Sequence, residues 1–228
     1  MPVIDDIREQ NKIAKGKGFK YALQYFWDYY KIHVAVVIVA IIIIISIVKS
    51  FVTYREPVFE AIIVNAANAP SEEEFAEYLG LDAEKERVYL DYSYYMTTVN
   101  DSFSESTYAS AQKIMAVIAS KSADIMLCKS DIFDTYKNSG IYGDLREYFS
   151  EEFLDSLGDK VIWYAIIDED TNEADEPLPV AINVVDAPQL TDNACFKGNE
   201  VYFMIIANTQ HPEYSTAFYN FLYNLPKD

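Results

Sequence analysis

Residues Val34–Val48 read VAVVIVAIIIIISIV, with Ser46 the only polar side chain. The uncharged stretch between Lys31 and Lys49 holds 17 residues, about 26 Å as a helix at ~1.5 Å per residue. That is the short end of the membrane-spanning range, and the two flanking lysines can snorkel to extend it. The run is apolar on every face, unlike an amphipathic surface helix. In hydrocarbon the backbone must satisfy its own hydrogen bonds, so the expected form is a transmembrane helix over 32–52.

The flanks agree with a span. Phe19, Tyr21, Tyr25, Phe26, Trp27, Tyr29 and Tyr30 precede the run, and Phe51 and Tyr54 follow it. Amphipathic rings favour the headgroup level on both sides of a bilayer. One alternative is a buried core helix or strand, which has no need of lysine at both ends. A cleaved signal peptide is the other, with Val48 and Ser50 as small residues at the cleavage site. About thirty residues precede the apolar core, long for the basic region of such a peptide. The expectation is an uncleaved signal anchor.

Charge gives the orientation. Residues 1–31 carry six bases and four acids, a net of +2, whereas 49–228 carry 12 bases and 32 acids, a net of −20. The positive-inside rule then places a basic, aromatic segment 1–31 in the cytoplasm. The C-terminal part is expected outside a cell membrane crossed once, with the lipid bilayer as first partner. The bases of KIAKGKGFK (12–20) also suit contact with anionic lipid. An oxidising exterior permits a Cys128–Cys195 disulfide, but Cys128 lies in a strand-like run where a buried free thiol is common.

Composition removes several functions. The chain of 228 residues is 51% hydrophobic and 24% charged, so it can bury a core. Its formal charge of −18 argues against nucleic acid as a partner. Two cysteines exclude a disulfide scaffold or a four-thiolate zinc site, and seven glycines make a phosphate cradle improbable. Tyrosine is unusually frequent, at 19.

Beyond a linker at 53–57, residues 58–228 read as one α/β domain. Val58–Val64 is an apolar strand. Ser71 caps a helix opened by Glu72, Glu73 and Glu74 and stopped at Gly80. Val88–Tyr92 is a second strand. Ser106 or Thr107 is expected to cap a helix carrying Ile114, Met115 and Ile118. Ala123–Cys128 is a third strand, and Ser130-Asp131 is expected to cap Ile132–Lys137. After Gly140 and Gly143 come helical stretches at Leu145–Phe149 and Glu151–Leu157. Strands at Val161–Ile167, Val180–Val185 and Glu200–Ala207 follow, then a helix at Pro212–Tyr223. Strand–helix alternation predicts one mostly parallel sheet covered by helices, with right-handed crossovers and a later hairpin.

IMAVIASKS (114–122), ADIMLCKSDIFDTYKNSG (123–140) and IYGDLREYF (141–149) resemble type II extracellular solute-binding proteins. So does EVYFMIIANTQHPEYSTAFYNFLYN (200–224). With the anchor YFWDYYKIHVAVVI (25–38), the chain is similar to single-pass membrane proteins of low-GC Gram-positive bacteria. These segments cover 75 of 228 residues. The resemblance implies one lobe of a type II periplasmic-binding-protein fold. Such proteins close two lobes around a ligand, and about 70 residues between the third strand and the late strand leave no room for a second. One lobe offers a single wall, whereas tight small-ligand sites bury most of the ligand.

Open α/β sheets bind ligands outside the carboxyl ends of their strands. There stand Asn65, Asn68, Tyr92, Tyr94, Tyr95, Lys129, Ser130 and Asp131, suited to a sugar or peptide, or else engaged in caps and edge packing. Asp168, Asp170 and Asn172 match the first ligands of a calcium loop. Glu173 replaces its glycine and Pro179 its bidentate glutamate, so a solvated hairpin tip is the better reading. His33 and His211 lack metal-ligand spacing, and no nucleophile or P-loop motif appears. The expected function is a non-catalytic, membrane-anchored extracytoplasmic interaction module within a membrane or cell-envelope protein complex, without a cofactor. The alternative is direct binding of a small solute.

Overall fold

A computed structural model describes residues 19–53, 57–82, 84–97, 104–165, 176–198 and 200–227. The chain divides into two units between Tyr54 and Arg55. The first contains helix α1, Phe19–Thr53. Within it Tyr30–Lys49 has a mean hydropathy of 2.9 and buries none of its length in the protein, so it is long and apolar enough to cross a membrane. The helix continues beyond both lysines because its hydrogen-bond ladder does not depend on side-chain polarity. Phe26 stacks on Tyr30 at 5.2 Å, and Tyr30 meets His33 edge-on at 6.0 Å, the neighbours that helical spacing brings together.

The second unit is built on a six-stranded sheet in the order β2-β1-β3-β6-β5-β4. Its elements are β1 (Pro57–Val64), α2 (Glu72–Leu79), β2 (Arg87–Tyr94), α3 (Glu105–Ala119), β3 (Ile125–Cys128) and α4 (Ser130–Tyr136). After a 3-10 turn at Leu145–Glu147 come α5 (Glu151–Leu157), β4 (Val161–Tyr164), β5 (Leu178–Asn183), α6 (Pro188–Asp192), β6 (Tyr202–Ile205) and α7 (Pro212–Leu222).

The expected mostly parallel sheet is corrected by the pairing. β1 pairs parallel with β2 and β3, but β3–β6, β6–β5 and β5–β4 are antiparallel. β3 and β6 are buried throughout. A strand covered on both faces carries the same apolar signature in either direction. Helical crossovers set direction only in the first half, where α2 and α3 link parallel strands.

Cap chemistry explains the helix starts. The Ser71 hydroxyl accepts Glu74 N–H, and Gly80 closes α2 in the left-handed region at φ 72°. Two expected caps are corrected. Ser104, not Ser106 or Thr107, accepts Thr107 N–H and opens α3. Lys129 holds the cap position of α4 without a side-chain bond, so Ser130 is that helix's first residue. Leu145–Phe149 narrows to a single 3-10 turn capped by Asp144.

Alternating strand residues face two core layers. Phe59, Ala61, Ile63, Leu90, Leu127 and Phe203 pack under α2, α5, α6 and α7. Ile62, Val64, Met126, Cys128 and Met204 pack under α3 and α4. The first layer is a continuous ring cluster, with Phe218 4.9 Å from Phe75 and 5.3 Å from Phe59. Cys128 and Cys195 lie in opposite layers and are both free. The sheet between them rules out the disulfide. Burial pushes the Cys195 thiol up to about 11 and raises Cys128 as well.

Candidate functional site

Several of the polar residues at the strand ends are engaged within the fold. Asn65 adopts φ 59° at the end of β1, and its amide is locked onto β2's continuation. Its Nδ2 donates to Met96 O at 2.7 Å, and its Oδ1 accepts Met96 N–H at 2.9 Å. Ala67 N–H reaches Cys195 O at 2.7 Å, and Asn68 Nδ2 reaches Asn193 O at 3.3 Å. The segment after α6 therefore lies over the end of β1.

Tyr94 is buried beneath Lys113, whose Nζ stands 4.5 Å from the ring centroid. Tyr92 and Tyr95 are exposed; the Tyr95 N–H donates to the Ser110 hydroxyl at 3.0 Å. Asp131 Oδ1 accepts Ile132 N–H in the first turn of α4. Asp168, Asp170 and Asn172 lie outside the described residues. Among the described residues no three His, Cys, Asp or Glu side chains are placed to hold a metal ion.

Two features gather elsewhere. The first is an internal acid layer. Asp124 is fully buried at the start of β3; its Oδ2 accepts Glu60 N–H at 2.9 Å and its Oδ1 accepts the Thr209 hydroxyl at 2.5 Å. His211 Nδ1 stands 3.3 Å from the same Oδ1. On β2, the buried Asp91 pairs with Lys113 at 2.6 Å. Burial pushes Asp91 up, but bonds from Lys113 and Ser93 outweigh it and hold the acid below its usual value. Glu60 has the opposite fate: desolvation, then the charges of Asp91 and Asp124, raise it above 4.5. A carboxylate within the apolar run VFEAIIV was the signal available in the sequence.

Because Glu60 titrates higher folded than unfolded, its contribution is complete below its ordinary value near 4.5 and is lost as pH rises through the folded value. Glu60→Gln therefore stabilises the fold at about pH 7 and changes little at about pH 4. Urea midpoints at the two pH values measure this. A loss of stability at neutral pH would show that the ionised carboxylate is favourably held.

The second feature is an open groove of about 610 Å³ between the end of α2, the 148–153 segment and α7. Tyr78, Tyr148, Phe149, Phe153 and Tyr214 supply apolar walls, with Glu213 and Lys227 among the polar lining. Its floor is rigid because it is continuous with the core: Phe149 stacks on Phe153 at 5.1 Å, and both meet Tyr219 edge-on. Lys227 Nζ donates to Leu79 O at 2.5 Å and so ties the C-terminal segment to the end of α2. The sequence alone gives little sign of this groove. Phe149 and Phe153 stand four apart, a helical-face spacing, but nothing local shows that α7 and α2 come to meet them.

Comparison with family models, with curated proteins and with solved structures gives no match.

Proposed function

We propose that this chain is a membrane-anchored extracytoplasmic interaction module, non-catalytic, whose α/β domain holds a protein partner of a membrane or cell-envelope complex. The observation that carries this reading is the pairing of two features. One is an apolar helix that buries none of its length in the protein. The other is a domain whose Asn65 and Asn68 amides are tied internally while an aromatic groove stays open. Half-exposed Tyr and Phe on a rigid floor offer apolar contact at low entropic cost, as in protein recognition. The likeness to one lobe of a type II solute-binding protein fits the same use, since a single wall favours a partner surface over an engulfed solute.

The orientation follows the charge asymmetry, with the +2 segment cytoplasmic and the −20 part outside. Mild crosslinking of membranes followed by detergent extraction is expected to give a stoichiometric complex with a second envelope protein. Recovery as a clean monomer contradicts the reading. Saturable thermal stabilisation by a sugar or peptide, abolished by Tyr94→Ala or Asp131→Ala, would establish the solute-binding alternative instead.

A further inference from the structure

We propose that the aromatic groove receives a cationic peptide segment of the partner, one that carries an apolar side chain among lysines or arginines. This rests on the interaction-module reading and names the chemistry of what docks. The groove adjoins a second hollow of about 370 Å³ through a shared wall, Tyr78. Glu213 lines the first, and Glu74 and Glu77 line the second. Across α2 a third hollow of about 580 Å³ is lined by Glu72, Glu73, Glu77 and Glu86, with Arg87.

The carboxylates divide into two kinds. Glu72 accepts Leu90 N–H at 2.8 Å and Glu86 accepts Asp82 N–H at 3.1 Å, so both serve the fold. Glu73, Glu74, Glu77 and Glu213 are exposed, and none has an ion-pair partner among the described residues. Two charged bases line these hollows, Lys227 held on Leu79 O and Arg87 over the Tyr89 ring at 5.0 Å. Against them stand Glu72, Glu73, Glu74, Glu77, Glu86 and Glu213, so acids outnumber bases six to two across the hollows. An aromatic floor beside a net acidic rim complements a chain of alternating apolar and basic side chains. The rings accept cations on their faces, and the rim supplies the counter-charges.

Other occupants fit less well. Anionic lipid, nucleic acid and acidic peptides meet like charge. A second copy brings another domain from a part of net charge −20 against the same rim. A small amine fills only a fraction of the groove.

The test uses the full chain in zwitterionic nanodiscs, with empty nanodiscs as reference. The probe is a fluorescein-labelled decapeptide of alternating Lys and Phe. Lys/Ser and Glu/Phe decapeptides serve as comparators. The Lys/Phe peptide is expected to bind saturably, Lys/Ser about tenfold more weakly, and Glu/Phe not at all. Combined Glu74→Gln, Glu77→Gln and Glu213→Gln weaken binding about tenfold, as three exposed ion pairs acting together would. Thr216→Trp, which puts an indole into the groove, does at least as much, and circular dichroism shows that both variants fold.

Equal binding of Lys/Phe and Glu/Phe, or binding indifferent to both variants, overturns the proposal. So does a dimer in sedimentation that Thr216→Trp dissolves, which assigns the groove to a second copy. If the peptide fails while crosslinking still yields the envelope complex, only the cationic groove is refuted and the interaction module stands.

Discussion

Phe218→Ala is expected to destabilise the domain by about 3–5 kcal/mol, the range for removing a fully buried ring. Phe218 is 0% exposed. Its ring is 4.9 Å from Phe75, 5.3 Å from Phe59 and 6.1 Å from Phe221, so it joins α7 to both α2 and β1. Neighbours held on three different elements cannot collapse together into the space, which keeps the cavity cost high. Offset and edge-on ring contacts add to the area term. Phe218→Leu keeps much of the volume and is expected to cost clearly less. Urea unfolding followed by far-UV circular dichroism measures both. A loss below about 1 kcal/mol for the alanine variant would mean that α7 does not seal this layer.

Asp124→Ala is expected to cost about 3 kcal/mol, through polar groups left without partners and not through lost volume. The carboxylate joins three places distant in sequence: Glu60 N–H on β1, the Thr209 hydroxyl in the turn before α7, and His211 at that helix's N-terminal boundary. The backbone on both sides of it is engaged too, with Asp124 N–H on Glu60 O and Ile206 N–H on Asp124 O, each at 2.9 Å. Removal strands the buried Glu60 N–H. Asp124→Asn keeps one acceptor and is expected to lose about half as much. Because burial alone raises the Asp124 pKa, before the lowering effects of Thr209, Glu60 and His211, the bonds rather than the charge carry its value to the fold. Equal losses for Ala and Asn would contradict that division.

Much of the fold is legible in the sequence, and the limits have physical causes. Ser71 with three following glutamates, and Gly80 after them, mark α2 as local cap chemistry should. The apolar runs at 58–64, 123–128 and 200–207 locate strands for the same local reason. Their direction is not local. β6 lies antiparallel beside β3, pairing Met126 with Met204, and no feature of either run encodes that choice.

The engagement of the strand-end residues is hidden from the sequence for a related reason. Asn68 is polar and well placed in sequence, but the Asn193 carbonyl that takes its amide arrives from 125 residues away. Caps fail differently: Ser104, Ser106 and Thr107 are all chemically able, and their hydroxyls bond among themselves. Only the geometry selects Ser104. The groove was hidden because its walls come from residues near 78, 148–153 and 213–227, each unremarkable alone.

We propose that one apolar helix tethers an outward-facing domain. Protease added to intact cells, with epitopes at both termini, tests it most directly. The C-terminal epitope is expected to be destroyed while the N-terminal epitope survives in a short fragment that alkaline carbonate does not wash from the membrane. A protected C-terminal epitope, or a chain that carbonate releases whole, would contradict it.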